Sequence, residues 1–347
     1  MKQHMPNHDS LVRQRGLSLV ELMVAIAISL ILLTGVVQIF LSSKTSYRLL
    51  EANSRVQENG RFAIEFLTRD IRMAGFMGCF RGNVASVETI LNNPTAFNWD
   101  YTTAIQGYEW TGAGWSPALP GLIAGQVLNG TDVVVTRGLA GDGISLVFPY
   151  TNAAQVFVDE DASTIQVGDV IMVTSCDRAS IGQITNTQVN GFGYNLVHSN
   201  AGGFTPGNAT PQFTNTFGAG SEIARMQTSV YYIGTGASGS PALFRRSLAT
   251  GGVMQAQELV DDVENMQVFY GEDLDNDGIA NRYAEANNVA NMDNVVSVRI
   301  SLLLRTGDNI SSAAQKYTYN DTDIEAGDRR VRRVFNTTIK IRNRGLL

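Results

Sequence analysis

Glu21 stands five positions after Gly16, near the head of an apolar run that extends from Leu17 to Leu41. A carboxylate in hydrocarbon costs a few kcal/mol even on lenient insertion scales, so it implies a partner. If the chain were cut after Gly16, the ammonium of Leu17 would lie at the depth of Glu21, and the amine of a neighbouring subunit could pair with that carboxylate. A second chemical cluster is Asp273, Asp275 and Asp277, at alternate positions and followed by Gly278. This is the first half of a calcium loop, with side-chain oxygens at alternating places, a glycine for the turn, the backbone carbonyl of Ile279 and a water-linked oxygen at Asn281. Position twelve should be a bidentate acid but is Ala284, and Glu285 comes one place late. The same residues also make an Asp/Asn/Gly turn between strands. Repulsion among Glu272 and the three aspartates favours a cation, bound weakly in the manner of extracellular sites.

Other chemistry is poorly supplied. Of three histidines, His4 and His8 precede Gly16, leaving His198 alone beyond it, so a histidine triad or multi-histidine zinc site is hard to build. No C-x-x-C, P-loop or complete G-x-S-x-G is present, and Gly236 to Ser240 reads as a serine/glycine turn. No catalytic activity and no required cofactor are expected, and His198 is expected in a loop. The formal net charge is −6, and loss of residues 1–16, with Lys2, Arg13, Arg15 and Asp9, takes it to −8. An overall nucleic-acid footprint is therefore absent. Arg329, Arg330, Arg332 and Arg333 form the densest basic patch, read as a solvated strand entry or as salt bridges to acidic neighbours.

The run from Leu17 to Leu41 is long enough to span a bilayer as a helix. It lacks the short core and A-x-A-like site of a secretory signal. The helix should continue, because no proline falls between Ser42 and Ala74 and Leu49, Ala52, Val56, Gly60, Ala63, Leu67, Ile71 and Ala74 recur at alternating threes and fours. Gly75 is the expected stop, and Phe62 and Phe66 are expected to reach the domain beyond. That domain, residues 76–347, reads as β-rich, with strands at Val133 to Thr136, Ile144 to Phe148, Gln155 to Val158, Val170 to Thr174, Thr228 to Ile233, Ala242 to Arg246, Val263 to Tyr270, Val295 to Leu304 and Val334 to Ile341. Asn92 to Asn129, with three tryptophans, and Val189 to Gly220 read as excursions. The fold class is α+β: a leader (1–16), a long helix (17–75, membrane-spanning over 17–41) and a β-rich head of one or two sub-sheets. Cys79 and Cys176, both beyond the span, suit one disulfide in an oxidising periplasm or a pair of free buried thiols.

Arg15-Gly16 followed by Leu17-Ser18-Leu19-Val20-Glu21-Leu22 resembles the class III signal of type IV prepilins and type II secretion pseudopilins. That resemblance implies cleavage after Gly16 by a prepilin peptidase and methylation of the Leu17 amine, although the usual first mature residue is phenylalanine. Gly60 to Cys79, Gly168 to Cys176, Tyr231 to Gly234, Val263 to Gly271, Val295 to Thr306 and Arg332 to Arg344 resemble segments of PilW-type minor pilins. The family implies a pilin-like fold and a minor pilin that primes fibre assembly near the tip. Its partners would be other minor pilins, the major pilin, the prepilin peptidase and the inner-membrane assembly platform. Both cysteines fall in resembling segments, which favours their pairing. A type II secretion tip pseudopilin and a membrane-anchored adhesin are the alternatives.

Overall fold

The computed structural model describes residues 16–81, 86–159, 164–191, 193–248 and 251–344. The leader residues 1–15 lie outside them. The chain divides into two units, residues 1–51 and 52–347, and α1 (Leu19–Arg72) contributes to both. Its start follows from local chemistry. Ser18 Oγ accepts the Glu21 N–H at 3.2 Å and Ser18 O accepts the Leu22 N–H at 3.1 Å, an N-cap with glutamate at the third helical position.

In the first unit the apolar side chains of α1 face outward all round, Leu19 to Leu41 having no core against them. Such a helix is long and apolar enough to cross a membrane. Its hydroxyls are satisfied within the helix: Ser29 donates to Ala25 O at 2.7 Å and Thr34 to Leu30 O at 2.8 Å, as hydrocarbon requires.

In the second unit α1 buries Val56, Gly60, Ala63, Leu67 and Ile71, the expected stripe. Three residues past Arg72, Gly75 adopts φ +74° and donates to Arg137 O at 2.8 Å, which ends the helical run. Phe62 and Phe66 do not enter the core: they are 47 % and 37 % exposed. Each lies one residue, about 100° of helical turn, from the buried Ala63 and Leu67, and the narrow stripe leaves that flank uncovered.

The strands are β1 (Glu88–Thr89), β2 (Ile105–Trp110), β3 (Trp115–Ser116), β4 (Val133–Asn152), β5 (Gln155–Val158), β6 (Val170–Thr174), β7 (Ala179–Gln183), β8 (Asn186–Asn190) and β9 (Gly193–Val197). They continue as β10 (Glu222–Thr235), β11 (Pro241–Leu248), β12 (Met254–Asp261), β13 (Val263–Glu272), β14 (Arg282–Glu285), β15 (Val295–Arg305), β16 (Lys316–Tyr319), β17 (Thr322–Glu325) and β18 (Arg332–Lys340). A 12-stranded sheet runs β1-β7-β6-β10-β4-β5-β9-β8, with β11 and β12 extending from β10 and β2 and β3 from β4. A 4-stranded antiparallel sheet runs β14-β13-β15-β18, and β16 pairs with β17. The buried stripe of α1 packs in one core with Val268, Tyr270, Val298, Ile300 and Leu302 of the smaller sheet and with Tyr231, Ile233 and Leu243 of the larger.

The two excursions are more regular than their composition suggests. The first contains β2 and β3, and the second begins within β8 and β9. The glycines and asparagines there mark turns between short strands. Two expected strands, Val133 to Thr136 and Ile144 to Phe148, are parts of one bent β4, whose register against β10 shifts near Ile223.

Candidate functional site

Gly16 and Leu17 lie in exposed, non-helical backbone just ahead of α1. Glu21 sits in the first turn of α1, where its backbone is tied to Ser18 and its carboxylate is favourably placed against the helix dipole. The cap explains part of why serine and glutamate stand three apart. The S-x-x-E spacing was visible in the sequence and carries this second, local role.

The acidic loop is tightly built between β13 and β14. Asp273 Oδ1 accepts from Asn276 N at 2.7 Å and Oδ2 from Gly278 N at 2.8 Å; Asn276 and Gly278 take φ +62° and +81°. Burial would raise the Asp273 carboxyl, but the Gly278 and Asn276 backbone donors hold it below the usual carboxylate range. One carboxylate oxygen from each of Asp273, Asp275 and Asp277 falls within 4.8 Å of the others. Ile279 is exposed, and Asn281 is already used, accepting from Leu274 N at 2.6 Å and donating to Asp275 at 3.2 Å. Glu272 is no part of the repulsion expected there. It is buried and paired with Arg282 at 2.6 Å. Glu285 pairs in register with Phe269 at the far end of β14 and takes Asn288 Nδ2 at 3.2 Å, so it does not close the loop.

Cys79, half-buried just beyond α1, and Cys176, exposed in the turn between β6 and β7, are free thiols. They are neighbours nonetheless. Burial and then a hydrogen bond with Cys176 push the Cys79 thiol up to about 11, and Arg81 N donates to Cys176 O at 3.4 Å.

Residues 230–343 match the family model of type IV pilus-assembly protein W, and residues 11–37 match the prokaryotic N-terminal methylation motif. The resemblance to PilW-type pilins is thereby shown. No curated protein and no solved structure matches the chain. The two matches support a type IV pilus minor pilin role, imply pilin partners and a prepilin peptidase, and fit membrane anchoring with pilus association.

The PilW-matched segment begins within β10 and holds all four strands of the smaller sheet, the acidic loop and the arginine cluster. Both cysteines lie outside it. The arginines divide: Arg330 and Arg332 are engaged inside the fold, whereas Arg329 and Arg333 are exposed. Arg332 Nε donates to Glu264 at 2.6 Å and Nη1 to Asp328 at 2.7 Å, with its guanidinium over the Tyr317 ring at 5.5 Å. Arg330 approaches Asp328 at 3.6 Å; Arg333 remains exposed. Also within the PilW segment, Tyr231 donates to Asp70 Oδ2 of α1 at 2.6 Å, and Arg245 stands 3.9 Å from the same carboxylate. This anchor of helix to sheet had no local sequence signal, because its three members are far apart in the chain.

Proposed function

We propose that this chain is a minor pilin of a type IV pilus that primes fibre assembly and resides near the fibre tip. Its head would stand in the periplasm and its apolar helix in the inner membrane until extraction into the fibre. The observation that carries the reading is the methylation motif at the head of an exposed, membrane-length helix in a chain whose last third is PilW-like. In this reading the peptidase cuts between Gly16 and Leu17, and Glu21 gains a fixed partner when a neighbouring subunit's methylated amine arrives. A slip in axial register would leave both charges unpaired in hydrocarbon. The test is co-isolation with the other minor pilins at equal membrane abundance. Glu21→Ala should lower recovery with processing intact, and Glu21→Asp should fall between. Equal recovery of wild type and Glu21→Ala removes the pairing role, and an N-terminus at Met1 in the presence of active peptidase removes the processing step.

Two further parts of the reading concern the head. The loop of Asp273, Asp275 and Asp277, with the Ile279 carbonyl and Asn281, would bind calcium weakly, since the closing acid is missing. The Cys79 and Cys176 thiols would form a disulfide in the envelope by exchange with a disulfide oxidant, which takes up the two electrons and two protons and leaves as a dithiol.

A further inference from the structure

Glu109 in β2 and Asp132, one residue before β4, are 6 % and 2 % exposed and lie within hydrogen-bonding reach of each other. Asp132 ties two sheets together. Its N–H donates to Met266 O at 2.9 Å, its Oδ2 accepts the Val268 N–H at 2.9 Å and its Oδ1 accepts the Trp110 N–H at 3.2 Å. Pairing of β14 with β13 ends at Phe269, so Asp132 satisfies the stretch of β13 edge that β14 leaves open. Glu109 accepts the Ala286 N–H on the other side, and its Oε2 is buried without a partner among the described residues.

The surroundings supply acids and phenols. Tyr270 of β13 is fully buried, its hydroxyl without a partner among the described residues, and it is set against Gly107, two residues from Glu109 on the same face of β2. Glu285 of β14 acts on both carboxyls, and Asp132 is felt by Tyr319 of β16. The turn at Met292–Asn294 carries Asp293, which is held by Arg344 at 3.0 Å. Arg137 serves the opposite face of β2, donating to Gln106 Oε1 at 3.1 Å and acting on Tyr108. Two carboxylates in contact in such a place cannot both ionise cheaply. We propose that Glu109 and Asp132 share one proton and so clasp the large sheet to the four-stranded sheet, and that the clasp loosens as the medium turns alkaline.

Burial raises Glu109, with the Asp132 charge adding to it, and burial raises Asp132 against its two backbone donors. The folded chain therefore holds a proton that the unfolded chain releases at ordinary carboxylate pH. The stability this contributes is complete in acid and declines as pH rises through neutrality. The test uses the full chain in detergent with a chelator present. From about pH 6 to about pH 9 the wild-type melting midpoint should fall by several degrees, and Glu109→Gln, which can donate without titrating, should flatten that slope. An infrared band of a protonated carboxyl should be present in wild type at the lower pH, vanish at the higher, and be missing from Glu109→Gln. A flat wild-type profile, equal slopes in the two proteins, or absence of the band in wild type at the lower pH overturns the proposal. So does restoration of the alkaline midpoint by calcium in wild type but not in Glu109→Gln, which would make the pair a cation site.

Discussion

His198 is fully buried, stacked on Phe213 with ring centroids 4.1 Å apart, and neither ring nitrogen has a partner among the described residues. The loop expected from the flanking Val197, Ser199 and Asn200 is where His198 lies, just past the end of β9, but the loop is not a solvated one. Instead its carbonyl takes Asn208 Nδ2 at 3.0 Å and the ring fills the core beside it. Burial lowers its pKa to about 4, so between the ordinary histidine value and that point the unfolded chain binds the extra proton. Stability should drop by roughly 3 kcal/mol as pH falls through this window. Acid unfolding of His198→Phe should lack that drop; an unchanged profile would show that the ring is not neutral inside. At the acidic loop, calcium should raise the melting midpoint of wild type and not of Asp275→Ala, Asp277→Ala. An equal rise in both leaves the loop a turn. The sequence displayed the aspartates' spacing plainly, but not that Arg282 neutralises Glu272, since that depends on β13 and β14 meeting in register.

At the scale of elements, α1 meets the four-stranded sheet through a glycine. A Cβ at Gly60 would run into the Phe335 ring of β18, so the helix approaches as closely as a bare backbone allows. Gly60→Ala gains about 1 kcal/mol of helix propensity but overpacks a filled core, a cost of about 1–3 kcal/mol. The expected net effect is destabilisation in urea unfolding, reversed in a Phe335→Leu background. A gain from Gly60→Ala in the wild-type background would show that the contact is loose. The polar counterpart is Tyr231 with Asp70. Tyr231→Phe should cost about 1.5–3 kcal/mol, because a buried bond to a charged acceptor is lost. The buried stripe was readable from helical period alone, whereas the exposure of Phe62 and Phe66 was not: hydrophobicity says a side chain benefits from cover, not that the fold provides it.

For the whole molecule, the titrating groups oppose one another. Glu88, burdened by burial but held by Ser180 and Thr214, is lowered, as is Asp328 through Arg332; with His198 they withdraw stability in acid. The Glu109 and Asp132 pair withdraws it in alkali. A bell-shaped stability profile with its maximum in mildly acidic to neutral solution should follow. The two thiols bear on the same scale, since a bond between Cys79 and Cys176 would join the segment after α1 to the β6–β7 turn. It should stabilise the chain by ~4 kcal/mol on a loop-entropy account. Two alkylatable thiols in unreduced, denatured protein from the envelope would refute it.

The long helix α1 was legible in the sequence, for a physical reason: helices are local. The apolar run and the three-four stripe act over one or two turns, so their spacing alone specified a membrane-length helix with one buried face, while the Ser18 cap emerged only from the structure. The acidic loop was equally local. The β-rich remainder was legible as strands in nine places and illegible as a sheet, because partners such as β1 with β7 and β2 with β4 lie far apart in the chain and composition carries no record of register. Only the tertiary structure turned the tryptophan-rich excursion into β2 and β3, drew the terminal arginines onto Glu264 and Asp328, and brought Glu109 against Asp132. Each of these depends on two chain segments meeting, and the free energy of meeting comes from the whole core rather than from either segment.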